Sequence, residues 1–305
     1  MGGARLSLKQ ETISDWIAAF IFDRKVGNVS PGTIDYYRVK LSKFLAYCDR
    51  EGIHQVERIT PDDLRRFLAW LDDQGHNSGG KHAFYRAVKT FTRWYEGEAE
   101  PEGWKNPIRK VKAPKVEQVI LEPADPESIA AMVATCKGKS FTDLRDKAII
   151  LTLLDTGLRA AELLNLDLGD IDLIMGETIV KSGKGRKPRT VFVGKRTRRA
   201  LRAYTAVRES TDQALFVSDD AERLTYWGLR SMIKRRAAGA GVAAPSLHSF
   251  RRAFALAMLR AGVDLITLQK LMGHSDLSVL SRYLAQVTGD LRIAHDRASP
   301  VDTLQ

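Results

Sequence analysis

The chain has 305 residues, of which 44% are hydrophobic and 28% charged, an ordinary composition for a globular protein with a buried core. Its 48 lysines and arginines outnumber its 37 aspartates and glutamates and give a net charge of +11. Apolar runs are too short for a membrane span, the N-terminus has no signal-peptide pattern, and two cysteines cannot form a disulfide framework, so we expect a cytoplasmic protein.

The positive charge is spread over both halves of the chain. Residues 1–113 hold 19 basic and 15 acidic residues, a net of +4, and residues 114–305 hold 29 and 22, a net of +7. An excess of this kind favours a polyanionic partner, so a nucleic acid is the first partner to consider. Surface charge that serves only solubility explains the same numbers, and composition does not decide between the two interpretations.

Residues 1–96 predict a small domain of four helices without strands. The helices that start at Pro31 and Pro61 each follow a capping serine or threonine and carry proline at the first helical position. Apolar residues recur at helical spacing after both starts, and also in the segments around Trp16 and Tyr85.

Residues 97–123 predict a linker, because proline and glycine recur there and no apolar periodicity survives. Residues 124–305 then predict a mixed domain. A strongly apolar helix covers about 141–155, and two strands at 178–180 and 190–193 flank a turn rich in glycine and lysine. The rest is mainly helical, so the sequence predicts a mainly α fold with a small β-sheet.

The first candidate site residue is Arg159, which follows a glycine turn at the start of a short helix. Glu162 lies one turn further along that helix. An arginine fork that is held by a carboxylate near a helix start is suited to phosphate. An ordinary surface ion pair would have the same sequence, so this motif alone decides nothing.

The second candidate is Lys184, which lies between two glycines in the turn between the strands. Ten basic residues and no acidic residue occur between Lys181 and Arg202. The simpler interpretation of this stretch is an exposed basic hairpin that binds phosphate without taking part in chemistry. We prefer that interpretation for three neighbouring residues: Arg186, Lys187 and Arg189.

Two further motifs lie in the helical remainder of the chain. His248 and Arg251 are three residues apart at the start of an apolar helix and therefore share a face, although a histidine there can also be a helix cap. His274, in the sequence Leu-Met-Gly-His-Ser-Asp, precedes Tyr283 by nine residues. A half-buried aromatic residue is the alternative interpretation of Tyr283.

Together these residue types are suited to attack on a phosphodiester. A tyrosine hydroxyl is a nucleophile once it loses its proton, whose ordinary pKa is about 10. Two guanidinium groups would stabilise the charge on the non-bridging oxygens, and a histidine can bind the same oxygens or accept the tyrosine proton. A lysine can protonate the leaving hydroxyl, and the chemistry needs neither a metal nor a nucleotide cofactor.

The chain resembles the tyrosine recombinase (phage integrase) family, which includes Xer-type recombinases and integrases of mobile elements, over nearly its whole length. Six residues match the family motifs in order: Arg159 in TGLRAAEL the first arginine, Lys184 the catalytic lysine, His248 and Arg251 the His-x-x-Arg box, His274 in LMGHSD the next histidine, and Tyr283 the nucleophile. Arg252 departs from the pattern, because many relatives have a second histidine there. The departure puts only a supporting contact in doubt.

The resemblance implies a site-specific DNA recombinase with a SAM-like core-binding domain at 1–96 and a catalytic domain at 124–305. It implies that Tyr283 forms a 3′-phosphotyrosine link and frees a 5′-hydroxyl, with Lys184 as the general acid. Glu162 and Arg252 would support the arginines. Four protomers would exchange strands through a Holliday junction on two duplex sites, with contacts through a C-terminal helix and an accessory directionality protein as a further partner.

The N-terminal domain of such an enzyme would read the major groove while both domains clamp the duplex. Lys81 and Arg86, near the start of the fourth helix, are the contacts that we expect there, with simple exposed charges as the alternative. Two other classes share parts of the pattern: type IB topoisomerases and non-catalytic DNA-binding proteins with the same fold. Asp167, Asp170 and Asp172 raise the idea of a metal nuclease, which we reject because carboxylates beside a short strand more often serve turns and caps.

Overall fold

The structure is a computed structural model that describes residues 12–116, 122–181 and 188–273 together with Ser299. It divides into two compact units, Met1–Val119 and Ile120–Gln305. Helices dominate both units, and the second contains a two-stranded sheet, which confirms the predicted fold class. Within the described ranges, no helix is both long and apolar enough to cross a membrane.

The first unit contains the four predicted helices: α1 (Ile13–Val26), α2 (Pro31–Arg50), α3 (Pro61–Asp73) and α4 (Ser78–Ala99). A polar side chain caps each helix start by accepting a backbone N–H, and the caps are Thr12, Ser30, Thr60 and Asn77. The core between the helices is rich in buried aromatic rings, including Phe20, Phe44, Phe67, Phe91 and Tyr95. Burial of such rings is the main stabilising contribution in a domain of this size.

Part of the predicted linker belongs to the first unit. A short 3-10 helix spans Pro107–Lys110, and its Ile108 and the following Val111 are buried in the aromatic core. The Tyr85 hydroxyl donates a hydrogen bond to the Val111 carbonyl at 3.0 Å. The structure thus differs from the expected linker over 97–123. The sequence did not indicate this packing, because a single turn is too short to show an apolar periodicity.

The second unit contains seven further helices and two strands among its described residues. The helices are α5 (Pro126–Ala134), α6 (Phe141–Thr156), α7 (Ala160–Leu164), α8 (Lys195–Thr205), α9 (Tyr226–Gly239), α10 (Leu247–Arg260) and α11 (Leu265–Met272). Strands β1 (Glu177–Val180) and β2 (Arg189–Phe192) pair antiparallel, with Glu177 opposite Phe192 and Val180 opposite Arg189. Helix α6 lies in the middle, against α5, α8, α10 and β2. Helix α11 packs on both α10 and β2, which brings the end of α11 close to the start of β2.

A buried carboxylate joins α6 to α9. Asp146 is fully buried, and its two oxygens accept hydrogen bonds from Arg145 at 3.1 Å, Arg235 at 3.1 Å and Arg236 at 2.8 Å. Arg145 also pairs with Asp219 at 2.8 Å. Several guanidinium groups therefore compensate one buried negative charge, which would otherwise be very costly to desolvate.

Candidate active site

The Arg159 motif forms the turn that the sequence predicts. Helix α6 ends at Gly157, which has a left-handed φ of +59°, and Arg159 is the residue before α7. The Arg159 backbone N–H donates to Glu162 Oε2 at 2.8 Å, and its Nη1 donates to Oε1 at 2.8 Å. One carboxylate thereby fixes both the backbone and the guanidinium of a half-buried arginine.

Glu162 is shared by more than one arginine. Arg189 Nη1 and Nη2 donate to Glu162 Oε1 and Oε2 at 3.0 and 2.8 Å, and Arg251 Nη1 lies 3.9 Å from Oε2. Burial alone would raise the pKa of Glu162, but hydrogen bonds and charge from Arg189 and Arg159 lower it to about 2. Glu162 is therefore a permanent anion that organises a cationic cluster.

Arg251 is buried on α10 and bridges two chain segments. Its Nη1 donates to the Gly157 carbonyl at 2.6 Å, and its Nη2 donates to the Met272 carbonyl at 2.6 Å. These bonds join the end of α6 to the end of α11. The two arginines of the family motifs, Arg159 and Arg251, thus meet around Glu162.

His248 lies in the first turn of α10, one turn before Arg251, and its ring is partly covered by the protein while solvent still reaches it. The helix cap is Ser246, whose Oγ accepts the Ser249 N–H at 3.1 Å, so the role of His248 is not that of a cap. Partial burial, and then the positive charges of Arg251, Arg252 and Arg159, lower the pKa of His248. His248 is therefore a neutral imidazole at pH 7, able to donate or accept a hydrogen bond.

Arg252 takes a different direction from Arg251. Its Nε donates to the Glu122 carbonyl at 2.9 Å, and the neighbouring Ser249 carbonyl accepts the Ala124 N–H at 3.0 Å. Both bonds fasten α10 to the beginning of the second unit. The positive charge of Arg252 still helps to lower the pKa of His248, so Arg252 supports the site by electrostatics and not by contact with Glu162.

Five of the residues that the sequence singles out lie outside the described part of the chain: Lys184, Arg186, Lys187, His274 and Tyr283. The structure does describe the residues that flank them. Lys181 and Pro188 lie on either side of the segment that carries Lys184, and Gly273 directly precedes His274. The end of α11 and the start of β2 lie beside the Arg159, Glu162 and Arg251 cluster.

Arg189 is the site residue that sequence reasoning missed. Its side chain is only 14% exposed and bonds to Glu162, whereas we expected an exposed phosphate-binding hairpin residue. The signal was present in the strand alternation, because Arg189 lies on the same face of β2 as the buried Val191. A long charged residue on an inward face requires a buried partner, and the chain supplies Glu162.

The first unit carries a second basic cluster, on α2 and just before α4. Lys43 Nζ lies 3.0 Å from His76 Nε2, and Lys40 Nζ lies 3.9 Å from the centre of the Phe84 ring. Partial burial and then the charge of Lys43 lower the pKa of Lys40, and burial, Lys43 and Lys40 lower that of His76. Mutual repulsion of this kind would be relieved by a bound anion.

The structure distinguishes the two expected contacts of the N-terminal domain. Lys81 Nζ lies 2.6 Å from Asp72 Oδ1 and is mostly covered, whereas Arg86 is exposed on α4. The charge of Lys81 is thus already compensated within the protein. Arg86 presents its charge to solvent.

The three aspartates of the metal-nuclease alternative serve local structure. Lys181 Nζ lies 2.8 Å from both Asp167 and Asp170, and Asp172 Oδ1 accepts the backbone N–H of Ile174 at 2.6 Å. Across the part of the chain that the structure covers, no cluster of three or more histidine, cysteine, aspartate or glutamate side chains could hold a metal ion.

Comparison with known proteins identifies the family. Residues 123–288 match the model of the phage integrase family, and residues 22–98 match the N-terminal SAM-like domain of phage integrases. The tyrosine recombinase XerC of Azotobacter vinelandii is 32% identical over 284 residues, covering 91% of this chain and 93% of that protein. The tyrosine recombinase XerA of Thermococcus kodakarensis is 30% identical over 278 residues, covering 90% and 92%.

Solved structures show the same fold. The Tn1549 transposon integrase in complex with transposon right end DNA matches with a TM-score of 0.72 at 19% identity, covering 95% of this chain and 100% of that chain. The XerH recombinase bound to palindromic difH substrate, a post-cleavage complex, matches with a TM-score of 0.71 at 21% identity, covering 95% and 85%. The chain belongs to the phage integrase family. It is a tyrosine recombinase, an enzyme of site-specific DNA recombination, which confirms the class that the six motif residues predicted.

Proposed function

We propose that this recombinase cleaves and rejoins duplex DNA through Tyr283. The Tyr283 oxygen attacks the scissile phosphorus and gives up its proton to a histidine, His248 or His274. The bond from phosphorus to the 5′-oxygen breaks, and Lys184 donates a proton to that leaving oxygen. The products are a 3′-phosphotyrosine link and a free 5′-hydroxyl, which can later reverse the reaction on a new partner strand.

The meeting of Arg159 and Arg251 around Glu162 is the observation that carries this proposal. Negative charge grows on the non-bridging oxygens as the phosphate becomes five-coordinate. Positive groups held in place before the reaction stabilise that charge without the cost of reorganising solvent. Glu162 keeps the guanidinium groups together, and a neutral His248 can serve as the proton acceptor.

Contacts outside the active site are part of the same proposal. Lys184 belongs to the basic sequence between β1 and β2, and we assign its neighbours Arg186 and Lys187 to the phosphate backbone beside the cleavage point. In the first unit, we assign Lys40, Lys43 and His76 to a DNA phosphate, because three basic groups face one another there. Arg86 is the more effective of the two expected groove contacts, because Asp72 compensates Lys81.

The assembly proposed for strand exchange has four protomers on two duplex sites, joined by the chain beyond Tyr283, in the cytoplasm and with an accessory directionality protein. The joint between the two domains is proposed at residues 112–123. Among the residues that the structure describes, Val111 is the last buried residue of the first core and Ala124 the first of the second. A joint there would let the two domains close on opposite faces of a duplex.

The test uses a recombination-site duplex nicked so that the cleaved fragment is lost and religation fails. The wild-type chain should accumulate a covalent protein–DNA adduct in EDTA, with the retained label on the 3′-phosphate side. Tyr283→Phe should give no adduct, and Tyr226→Phe, at an exposed tyrosine of the same unit, should give the wild-type amount. An adduct with Tyr283→Phe would refute the nucleophile, and a requirement for a divalent metal would refute the mechanism.

A further inference from the structure

We infer that Arg189 is a positioning residue for recombination. Its guanidinium joins the end of α11, which precedes His274 in the chain, to Glu162, the carboxylate that also binds Arg159. This inference rests on the proposed function, since it concerns the geometry of the same site. It adds a residue that is not among the six family residues named above. Its basis is a set of three hydrogen bonds, the conformation of one glycine and the place of Arg189 in the chain.

Each of the three guanidinium nitrogens of Arg189 donates a hydrogen bond. Nη1 and Nη2 donate to the two oxygens of Glu162 at 3.0 and 2.8 Å, and Nε donates to the Leu271 carbonyl at 2.9 Å. Leu271 is in the last turn of α11, three residues before His274. The planar guanidinium therefore holds Glu162, beside the Arg159 turn, at a fixed distance from the end of α11.

The bond to Leu271 complements the one that Arg251 makes to Met272. Successive carbonyls at the C-terminal end of α11 thus accept from two different arginines. Carbonyls at a helix C-terminus lack intrahelical partners and carry partial negative charge, so they favour cations. The two arginines therefore hold the C-terminal end of α11 in place through the Leu271 and Met272 carbonyls.

Gly273 supplies independent support. A Cβ on Gly273 would lie 2.9 to 3.0 Å from Arg189 Cδ, Nε and Nη1, and the glycine has a φ of +61°. Both the conformation and the space therefore require glycine at the residue before His274. The glycine of LMGHSD thus admits the Arg189 side chain against the end of α11.

The place of Arg189 in the sequence also links it to the segment that carries Lys184. It is the first residue of β2 and follows Lys184 by five residues. Strand pairing of Arg189 with Val180 fixes the ends of β1 and β2 between which Lys184 lies in the sequence. Arg189 thus connects three described parts of the fold: Glu162 beside the Arg159 turn, the paired ends of β1 and β2, and the end of α11.

Lysine cannot reproduce this arrangement. The guanidinium fork directs donors along three fixed directions in one plane, whereas an ammonium group is a point charge on a flexible stem. Arg189→Lys would keep the charge beside Glu162 and lose the simultaneous bond to Leu271. The pair Arg189→Lys and Arg189→Gln therefore separates the contribution of charge from that of geometry.

The experiment measures DNA affinity and the single-turnover rate of adduct formation at saturating nicked DNA, with each variant kept well below its melting temperature. Arg189→Gln should lower the rate about 100-fold, because a displacement of about 1 Å in a catalytic group costs that much, while affinity changes less than about twofold. Arg189→Lys should fall in between. Gly273→Ala should reproduce the loss of rate with Arg189 intact.

Arg223→Gln is the matched control. Arg223 likewise bonds a carboxylate, Asp167 at 2.5 Å, and a backbone carbonyl, that of Leu164 at 2.9 Å. Its loss should lower the melting temperature and leave the rate of folded protein unchanged. If Arg189→Gln or Arg189→Lys forms adduct at the wild-type rate, the inference is wrong, whereas a wild-type chain without any adduct would refute the proposed function instead.

Discussion

Gly157 and Phe254 lie in direct contact where α6 ends against α10. A Cβ on Gly157 would come within 2.4 Å of the Phe254 ring, and the φ of +59° already favours glycine. The close approach allows the Gly157 carbonyl to accept the 2.6 Å bond from Arg251. The turn that presents Arg159 is therefore held on the helix that carries His248 and Arg251.

We predict that Gly157→Ala destabilises the protein by more than about 2 kcal/mol, because a left-handed conformation costs an alanine about 1 kcal/mol and the ring must also move. Urea denaturation of the full chain measures the change. Gly169→Ala is the control, since a Cβ there meets nothing within 4 Å. Equal stability of the two variants would contradict the importance of the Phe254 contact.

Glu162→Gln should destabilise the protein by about 3 kcal/mol at pH 7. The carboxylate pKa is about 2 in the folded chain against an ordinary 4.5, a difference that corresponds to this free energy. The contribution is complete above pH 4.5 and is lost as the pH falls toward 2. Denaturation curves of wild type and variant should therefore converge on acidification.

Glu209→Gln, at an exposed carboxylate of the same unit, provides the comparison for the acid titration. Its stability should follow that of the wild type at every pH. A wild-type advantage over Glu162→Gln that stays constant from pH 7 to pH 3 would contradict the assignment of the lowered pKa to Glu162.

His248 should titrate below the ordinary histidine value of 6.5. Partial burial of the ring and the charges of Arg251, Arg252 and Arg159 all oppose its protonation. NMR of the imidazole protons, assigned with a His248→Gln sample, measures the midpoint directly. Arg252→Gln should move the midpoint upward, and a wild-type midpoint at or above 6.5 would contradict the neutral histidine that the mechanism uses.

The basic cluster of the first unit should contribute to the salt dependence of DNA binding. Loss of one phosphate contact lowers the slope of log affinity against log salt by about 1, and we predict this change for Lys43→Gln. Lys81→Gln should have a smaller effect because Asp72 compensates its charge. Lys25→Gln, at the exposed end of α1, is the control, and a slope equal to that of Lys43→Gln would refute the cluster as a phosphate site.

The sequence predicted those features that depend on neighbouring residues. Helix starts at Pro31 and Pro61, the two strands and the Arg159–Glu162 pair all depend on contacts within a few positions. The family resemblance then brought together His248 and Arg251, which are almost ninety residues further on.

What the sequence could not predict depends on distant chain segments. Arg189 faces Glu162 and Leu271, which are 27 and 82 positions away, so no local pattern indicates the contact. Ile108 and Val111 pack on the first core through a single turn, which is too short for any periodicity. The strand alternation, which puts Arg189 on the same face of β2 as Val191, indicates that its side chain points inward. It does not indicate that Glu162 is the partner.

The buried Asp146 cluster should make the fold of the enzyme less sensitive to salt than its binding to DNA. Salt screens exposed charges over about 10 Å at 0.1 M, but ions reach the fully buried Asp146 carboxylate and the buried Arg145 guanidinium poorly. Concentrated salt should therefore release DNA from the basic surfaces while the junction of α6 and α9 keeps its native packing. Purification in high salt can thus strip nucleic acid from this protein and return an intact enzyme upon dilution.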